Sequence, residues 1–388
     1  MKTEDPLWAK GIVLDDGRRR LVLCAMDWCG LGSSALRQFQ EAMSGRRTSA
    51  VVHSVHQHTA PYVDGDAYGL LRALPDPPLC FSERGMREIA ARLSGAVKEA
   101  LARLTPVDAI GTGQAKVERV ASARRVWDEG KLVVRYSTGG RDPRQAELPE
   151  GPIDPWLKTI TFASGGRPLA RLHYYATHPQ TFCCDGRASA DFVGHARERL
   201  EQEEGVVQVY FTGCGGDVTV GKYNDGSERA RQQLAERLYA GMRASAAATT
   251  FRPAQGFAWR TVPVRLPART PQKEIEPGAD PAVRYRTAIS IAFARRKAPL
   301  EVTGIDLGGV RILHLPGEPM LEFQTFAQRS LPDQFVAVAG YGDVSSGYLC
   351  TDRAFEEGGY EPSASNVAPG GEKVLKGAAA EALGIVRG

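Results

Sequence analysis

Seven short runs along the chain are dense in Val, Ile, Leu and Tyr: 20–27, 48–55, 157–163, 169–176, 206–212, 310–315 and 335–340. Several are too continuously apolar to form a sheet face in water, which predicts buried strands. Between them the apolar spacing changes to a helical period. In 82–104, Ile89, Leu93, Val97, Leu101 and Leu104 follow Ser82, a suitable N-cap, and in 227–242 Leu234, Leu238 and Met242 share one face. Strands alternating with amphipathic helices predict an α/β protein with mixed central sheets flanked by helices. Residues 60–81, 137–156 and 341–371 interrupt the pattern with Gly, Pro, Asp and Ser. Segments that long are expected to be active-site loops. With no repeat, linker or composition break, residues 1–388 read as one catalytic domain.

Composition narrows the class. Hydrophobic residues are 43% and charged residues 24% of 388, as in ordinary globular proteins. The formal charge of +4 is mild, and basic residues alternate with acidic ones, so no nucleic-acid footprint is expected. No apolar run approaches the ~18 residues of a transmembrane segment, and "MKTEDPLWAK" lacks the layout of a signal peptide. Seven cysteines, Cys80 and Cys184 among them, make an odd set without CxxC spacing. That points to a reducing compartment, the cytoplasm, with Cys24 as a small buried hydrophobe.

The chemistry concentrates in a few places. "VVHSVHQHTAPY" carries His53, His56 and His58. On a strand, residues two apart share a face, so His56 and His58 are expected to project together and His53 to the other side. The pair could serve a metal, act as a base, or be polar groups at a sheet edge. "ATHPQTF" presents His178 at a second predicted strand end, and "LPGEPM" places Glu318 after a third, where it is expected to open a helix. Two imidazoles and a carboxylate would suit a hydrolytic metal; alternatively, Glu318 could simply serve helix amides.

Two other patterns lead nowhere. "GDVTVGKY" (216–223) nearly fits a phosphate-binding loop, but Tyr223 replaces the required hydroxyl and a turn follows where a helix is needed. The order His56, His58, His178, His195, Asp343 imitates a barrel amidohydrolase. Yet His178 and His195 are too close for a βα unit, and His195 sits in a helical pattern.

The motifs "VHQHTAPY", "ATHPQTF…SADFVG", "FTGCGGDV", "LPGEP" and "GYLCTDRAFEEGGYEPSAS", in that order, resemble the neutral/alkaline, non-lysosomal ceramidase family. The opening "DPLWAKGIVLDDGRRRLVLCAMDWCGL" is similar too. The resemblance implies a zinc-dependent amidase with one catalytic zinc on His56, His178, Glu318 and Tyr348, and His58 beside it as a catalytic group. It also implies Tyr360 as a second active-site tyrosine and Arg124 facing the scissile carbonyl, with Arg125 as the alternative. Asp191 and Asp217 would organise the surrounding loops. From residues alone, Tyr348 and Tyr360 read equally as packing for a Gly-rich loop. The family's C-terminal immunoglobulin-like domain and N-terminal lead are not expected in this chain. The implied substrate is a small-molecule N-acyl amide or lipid-like amide that need not be ceramide. Arg124, Arg125 and Lys222 raise the expectation of a polar or anionic acyl group. An ester or lactone hydrolase with the same zinc site and a non-catalytic zinc- or ligand-binding relative are the alternatives, and the oligomeric state is open.

Overall fold

The computed structural model describes residues 2–79, 81–183, 185–271 and 273–385; Cys80 and Cys184 lie outside the described residues. All seven expected strands form, with ends within two residues of the expected ones. The fold is α/β and its sheets are mixed. A five-stranded sheet runs in the order Val207–Thr212, Arg167–Tyr175, Trp156–Ser164, Ala109–Lys116, Thr250–Pro253. Its first pair is parallel and the rest antiparallel. A four-stranded sheet orders Ala258–Val264, Leu300–Asp306, Val310–His314, Phe335–Ala339, with only the last pair parallel. A three-stranded sheet joins Ala9–Asp15, Arg20–Met26 and Thr48–Ser54, again with its last pair parallel.

Each sheet therefore contributes one parallel pair, and the carboxyl ends of the three pairs meet. The backbone stitches them together: Val55 N–H donates to the Met26 carbonyl at 2.8 Å, Ser54 N–H to Tyr341 at 2.9 Å, and Gly340 N–H to Thr212 at 2.9 Å. The Thr212 hydroxyl donates to the Val55 carbonyl at 2.6 Å. One core supports the junction, drawing Leu23, Ile160, Leu172, Val209, Ile312 and Ala337 from all three sheets. The irregular loops that leave these ends are where α/β folds place ligands.

The helices follow their caps. Ser82 Oγ accepts from Gly85 N–H at 3.0 Å to open Glu83–Leu101, and Ser227 Oγ accepts from Ala230 N–H at 3.1 Å to open Glu228–Ala247. Leu234, Leu238 and Met242 are fully buried as expected, whereas Leu104 falls beyond its helix and is 43% exposed. The three irregular segments are not structureless. Short helices Gly65–Arg72, Pro143–Glu147 and Asp352–Glu357 form in them, each opened by a side-chain cap from Asp64, Asp142 or Thr351.

One central strand carries no apolar signal. Ala109–Lys116 reads AIGTGQAK because the helix Glu228–Ala247 crosses it closely. A Cβ on Gly113 would lie 2.1 Å from the Ser245 carbonyl oxygen.

Two buried histidines within strands make stability depend on pH. His173 accepts from Thr159 Oγ1 at 2.9 Å and donates to Gln208 Oε1 at 2.7 Å; His53 donates Nδ1–H to the Gly340 carbonyl at 2.5 Å. Burial pushes each ring down to about 4 from an ordinary value of 6.5. The unfolded chain then binds more protons between those values, so this stability is complete above pH 6.5 and lost as pH falls toward 4. Each ring should cost about 2 kcal/mol at pH 5 relative to neutrality. Guanidinium midpoints at the two pH values read the total over every shifted group, and His173→Gln should reduce the difference by about 2 kcal/mol.

Candidate metal centre

His56 and His58 do meet, but not by strand alternation. The strand ends at Ser54, two residues before His56. His56 N–H still donates to Trp28 at 2.8 Å, and the chain then turns at His56 with φ +76°. The turn, not a period of two, sets the rings 4.8 Å apart and edge to face. His53 stays in the strand and faces Gly340 and His314, apart from the pair.

The tautomers are set by carbonyl oxygens, which can only accept. His56 Nδ1–H donates to Cys29 O at 2.5 Å, and His178 Nδ1–H is shared between Gly215 O at 2.6 Å and Val218 O at 3.0 Å. Each ring therefore turns an Nε2 lone pair inward. Glu318 lies in the short strand Glu318–Pro319, paired in parallel with Tyr348–Leu349 so that Glu318 sits beside Tyr348. It does not open the following helix, which is Leu321–Ser330. The leading amide of that helix, Leu321 N–H, is taken by Asp217 Oδ1 at 2.7 Å, leaving the Glu318 carboxylate free to face the imidazoles.

Glu318 Oε2 lies 3.2 Å from His56 Nε2 and 3.3 Å from His178 Nε2. Ligands 2.0–2.1 Å from a tetrahedral zinc are separated by about 3.3 Å, so these donors are spaced as a zinc site requires. His56 Nε2 is buried without a hydrogen-bond partner, and both Nδ1–H groups rest on backbone carbonyls, as in metal-ligating histidines. The residues present fit the metal. His58 joins the cluster, each of the three imidazoles offering a ring nitrogen within 4.8 Å of the others. Its Nε2, however, accepts from the Gln180 side-chain amide at 2.8 Å, and its Nδ1 is held by the His56 carbonyl at 3.1 Å.

The bare donors strain one another electrostatically. Burial opposes ionisation of Glu318, yet the facing His56 and His178 hold its carboxyl well below the usual range. Against burial, Glu318 pushes His56 up to about 10. Burial and then Arg124 press His178 down to about 4, and burial, His56 and His178 press His58 well below its ordinary value. The Tyr348 phenol is raised by burial despite its arginine neighbour.

Arg124, not Arg125, faces the cluster. It is 2% exposed, and its Nη1 donates to the Tyr348 hydroxyl at 2.9 Å. The Tyr348 ring stands 6.2 Å from that of His178 and nearly parallel to it. Tyr360, 37% exposed, forms the outer edge, 5.6 Å from Tyr348. Arg125 turns to Glu357 and Glu361, and Lys222 Nζ donates to Ala146 O and Leu148 O, both at 2.5 Å. The expected basic lining for an anionic acyl group is thus not assembled, because two of its three cations are committed inside the protein. Asp191 Oδ2 accepts from Thr181 N–H at 2.9 Å and so shapes the loop carrying His178. His195 lies in the helix Asp191–Glu204 and reaches Asp5, and Gly221–Tyr223 is a single 3₁₀ turn with no helix directly after it.

Three contributors had no separate sequence signal. Tyr341 stacks on His56 at 4.2 Å between ring centres, Gln180 holds His58, and Cys29 acts through its carbonyl. Gln180 stands two residues after His178, inside a motif already singled out, and Cys29 lies in the opening stretch that resembles the family; Tyr341 carries no pattern at all.

Backbone crowding sets the position of Glu318. A Cβ on Gly216 would lie 2.6 Å from the Glu318 carbonyl oxygen and 2.8 Å from Pro319. Gly216→Ala is expected to displace Glu318 and weaken metal affinity by roughly 10- to 100-fold, the range for disturbing a ligand's support. Titration with a zinc-competing chromophore measures it.

An α/β fold whose parallel strand ends hold a buried two-histidine, one-carboxylate cluster defines a candidate metalloenzyme class. The fold itself is that of neutral ceramidase. The chain superimposes on neutral ceramidase from Pseudomonas aeruginosa with a TM-score of 0.72 at 15% identity, covering 98% of this chain and 70% of that one. A ceramidase complexed with C2 aligns with a TM-score of 0.71 at 15% identity, over 97% and 70% of the two chains. No protein-family model matches the sequence, and no curated protein matches it. Among the described residues no helix is long and apolar enough to cross a membrane.

Proposed function

We propose that the protein is a zinc-dependent amidohydrolase that cleaves the N-acyl bond of a small-molecule or lipid-like amide. The observation that carries this reading is the convergence of Glu318 Oε2 on the Nε2 atoms of His56 and His178 at 3.2 and 3.3 Å. The likeness in fold to neutral ceramidase supports it. His56, His178 and Glu318 would hold the metal, with the Tyr348 hydroxyl as a fourth donor. A zinc ion there supplies a Lewis acid and lowers the pKa of a water toward neutrality.

The chain's own groups do the rest. His58, whose Nδ1–H rests on the His56 carbonyl, has one basic nitrogen, the Nε2 held by the Gln180 amide; as Gln180 releases it, that Nε2 takes the proton from the attacking water and returns it to the leaving amine. Arg124 lies with its guanidinium carbon 5.5 Å from the Tyr348 ring centre and 5.4 Å from that of Tyr360. From there Arg124 and the Tyr360 hydroxyl donate to the developing oxyanion.

Metal analysis with a turnover panel of N-acyl amides, including ceramide, and matched esters tests the proposal. One zinc per chain with amide cleavage is expected. Zinc without any hydrolysis would indicate a binding protein, and carefully purified protein without stoichiometric metal would overturn the assignment.

A further inference from the structure

Arg124 and Arg125 are adjacent at the break between the strands Ser122–Ala123 and Arg125–Asp128, and both reach one carboxylate. Arg125 Nη1 lies 3.1 Å from Glu361 Oε2, and Arg124 Nε lies 3.8 Å from Glu361 Oε1. Successive side chains of a regular strand would point apart; the break lets them converge. Glu361 is fully buried. Arg125 also donates to Gly358 O at 2.7 Å and to Glu357 Oε2 at 3.0 Å, so one guanidinium binds both sides of the Gly358-Gly359 turn that leads into Tyr360. That turn needs its glycines. Gly358 and Gly359 have φ of +73° and +101°, and a Cβ on Gly359 would lie 2.6 Å from Arg125 Nη1.

On the other side of Glu361, the Arg124 guanidinium lies between the rings of Tyr348 and Tyr360 and donates Nη1–H to the Tyr348 hydroxyl. Arg124 Nε and Glu361 Oε1, the two atoms that face each other at 3.8 Å, have no hydrogen-bond partner. The buried carboxylate therefore depends mainly on Arg125 for compensation. Removing Arg125 would leave Arg124 as its nearest cation and draw that guanidinium away from Tyr348. Removing the charge of Glu361 would release both the turn and the Nε side of Arg124.

We infer that Glu361 and Arg125 are positioning residues, a buried latch that fixes Tyr360 at the mouth of the site and aims Arg124 at Tyr348. The inference rests on the amidohydrolase reading for its effect on turnover but not for the latch itself. Two measurements on the full-length, zinc-loaded protein separate these. In Glu361→Gln and Arg125→Met, kcat should fall roughly 10- to 100-fold, as for lost supporting partners. KM should stay within about threefold, as when an interaction confined to the transition state is lost, and zinc content should not change. Arg125→Lys should recover only part of the loss, because an ammonium cannot span Glu357, Gly358 and Glu361 as the guanidinium fork does. By hydrogen exchange, the amides of residues 359–361, 363 and 364 should exchange at least about tenfold faster in Arg125→Met, as local opening becomes easier.

Wild-type kcat in Glu361→Gln, or a raised KM with unchanged kcat, would overturn the positioning role. Were the parent protein to hydrolyse nothing on the panel, the amidohydrolase reading would fail, and exchange would decide the latch alone. Unchanged protection in Arg125→Met would then overturn it.

Discussion

Glu318→Gln is expected to purify without stoichiometric zinc and without measurable amide turnover, while remaining folded. The substitution keeps the shape of the side chain but removes the negative charge placed 3.2 and 3.3 Å from two imidazole Nε2 atoms. Disturbing a ligand's support already costs about 10- to 100-fold in affinity, so losing the carboxylate itself should exceed ~100-fold. His56→Ala and His178→Ala should behave alike. His58→Ala should instead retain zinc and lose about 10²- to 10⁴-fold in kcat, the span of a general acid–base group. Inductively coupled plasma analysis alongside the turnover assay distinguishes the roles. His58 lies within the same imidazole cluster, so the opposite outcome is chemically available. If His58→Ala lost the metal and Glu318→Gln kept it, the site would be a three-histidine centre.

The second large effect lies one layer beneath the site. Arg197 and Asp27 form a fully buried bidentate pair, with both Nη–O distances 2.7 Å. Asp27 also accepts from Trp8 N–H at 2.9 Å and from the Gln57 side-chain amide at 3.1 Å, and Gln57 stands between His56 and His58. Arg197→Met should destabilise the protein by about 3–5 kcal/mol, because an uncompensated carboxylate is left in the interior. For a chain of this length that is a fall in Tm of roughly 4–6 °C, read by calorimetry. The double variant Asp27→Leu/Arg197→Met should recover much of the stability, since apolar replacement of a buried pair is often neutral. It should not recover turnover, because Gln57 loses its anchor and the turn at His56 loses its brace. Recovery of both would show that the pair serves stability alone.

How much of this was legible in the residues differs from element to element. The seven apolar runs became strands because burial on both faces leaves a continuous hydrophobic signal, and Ser82 marked a helix start because a hydroxyl there satisfies an otherwise open amide. The strand Ala109–Lys116 was invisible, since Gly113 makes room for a crossing helix and Gly111 for the side chains of Thr249 and Phe251, and neither contributes an apolar pattern. His56, His58, His178 and Glu318 could be picked out as candidates from their residue types and their places near strand ends. The reason offered for pairing His56 with His58, alternation along a strand, was wrong, because the chain has left the strand and turned at His56.

By itself the chain determined the periodic elements, the fold class and the short set of side chains able to do metal chemistry, because periodicity and residue type are local properties. Tertiary structure decided how they combine. Only the parallel pairing of Glu318 with Tyr348, 30 positions apart in sequence, sets a carboxylate beside a phenol. Only the carbonyls of Cys29, Gly215 and Val218 choose which nitrogen of His56 and His178 turns inward. Likewise, only contacts with Tyr348 and Glu357, 224 and 232 positions away, turn Arg124 toward the cluster and Arg125 away from it. Such selections depend on hydrogen-bond partners and counter-charges that become neighbours only when three sheets bring their carboxyl ends together.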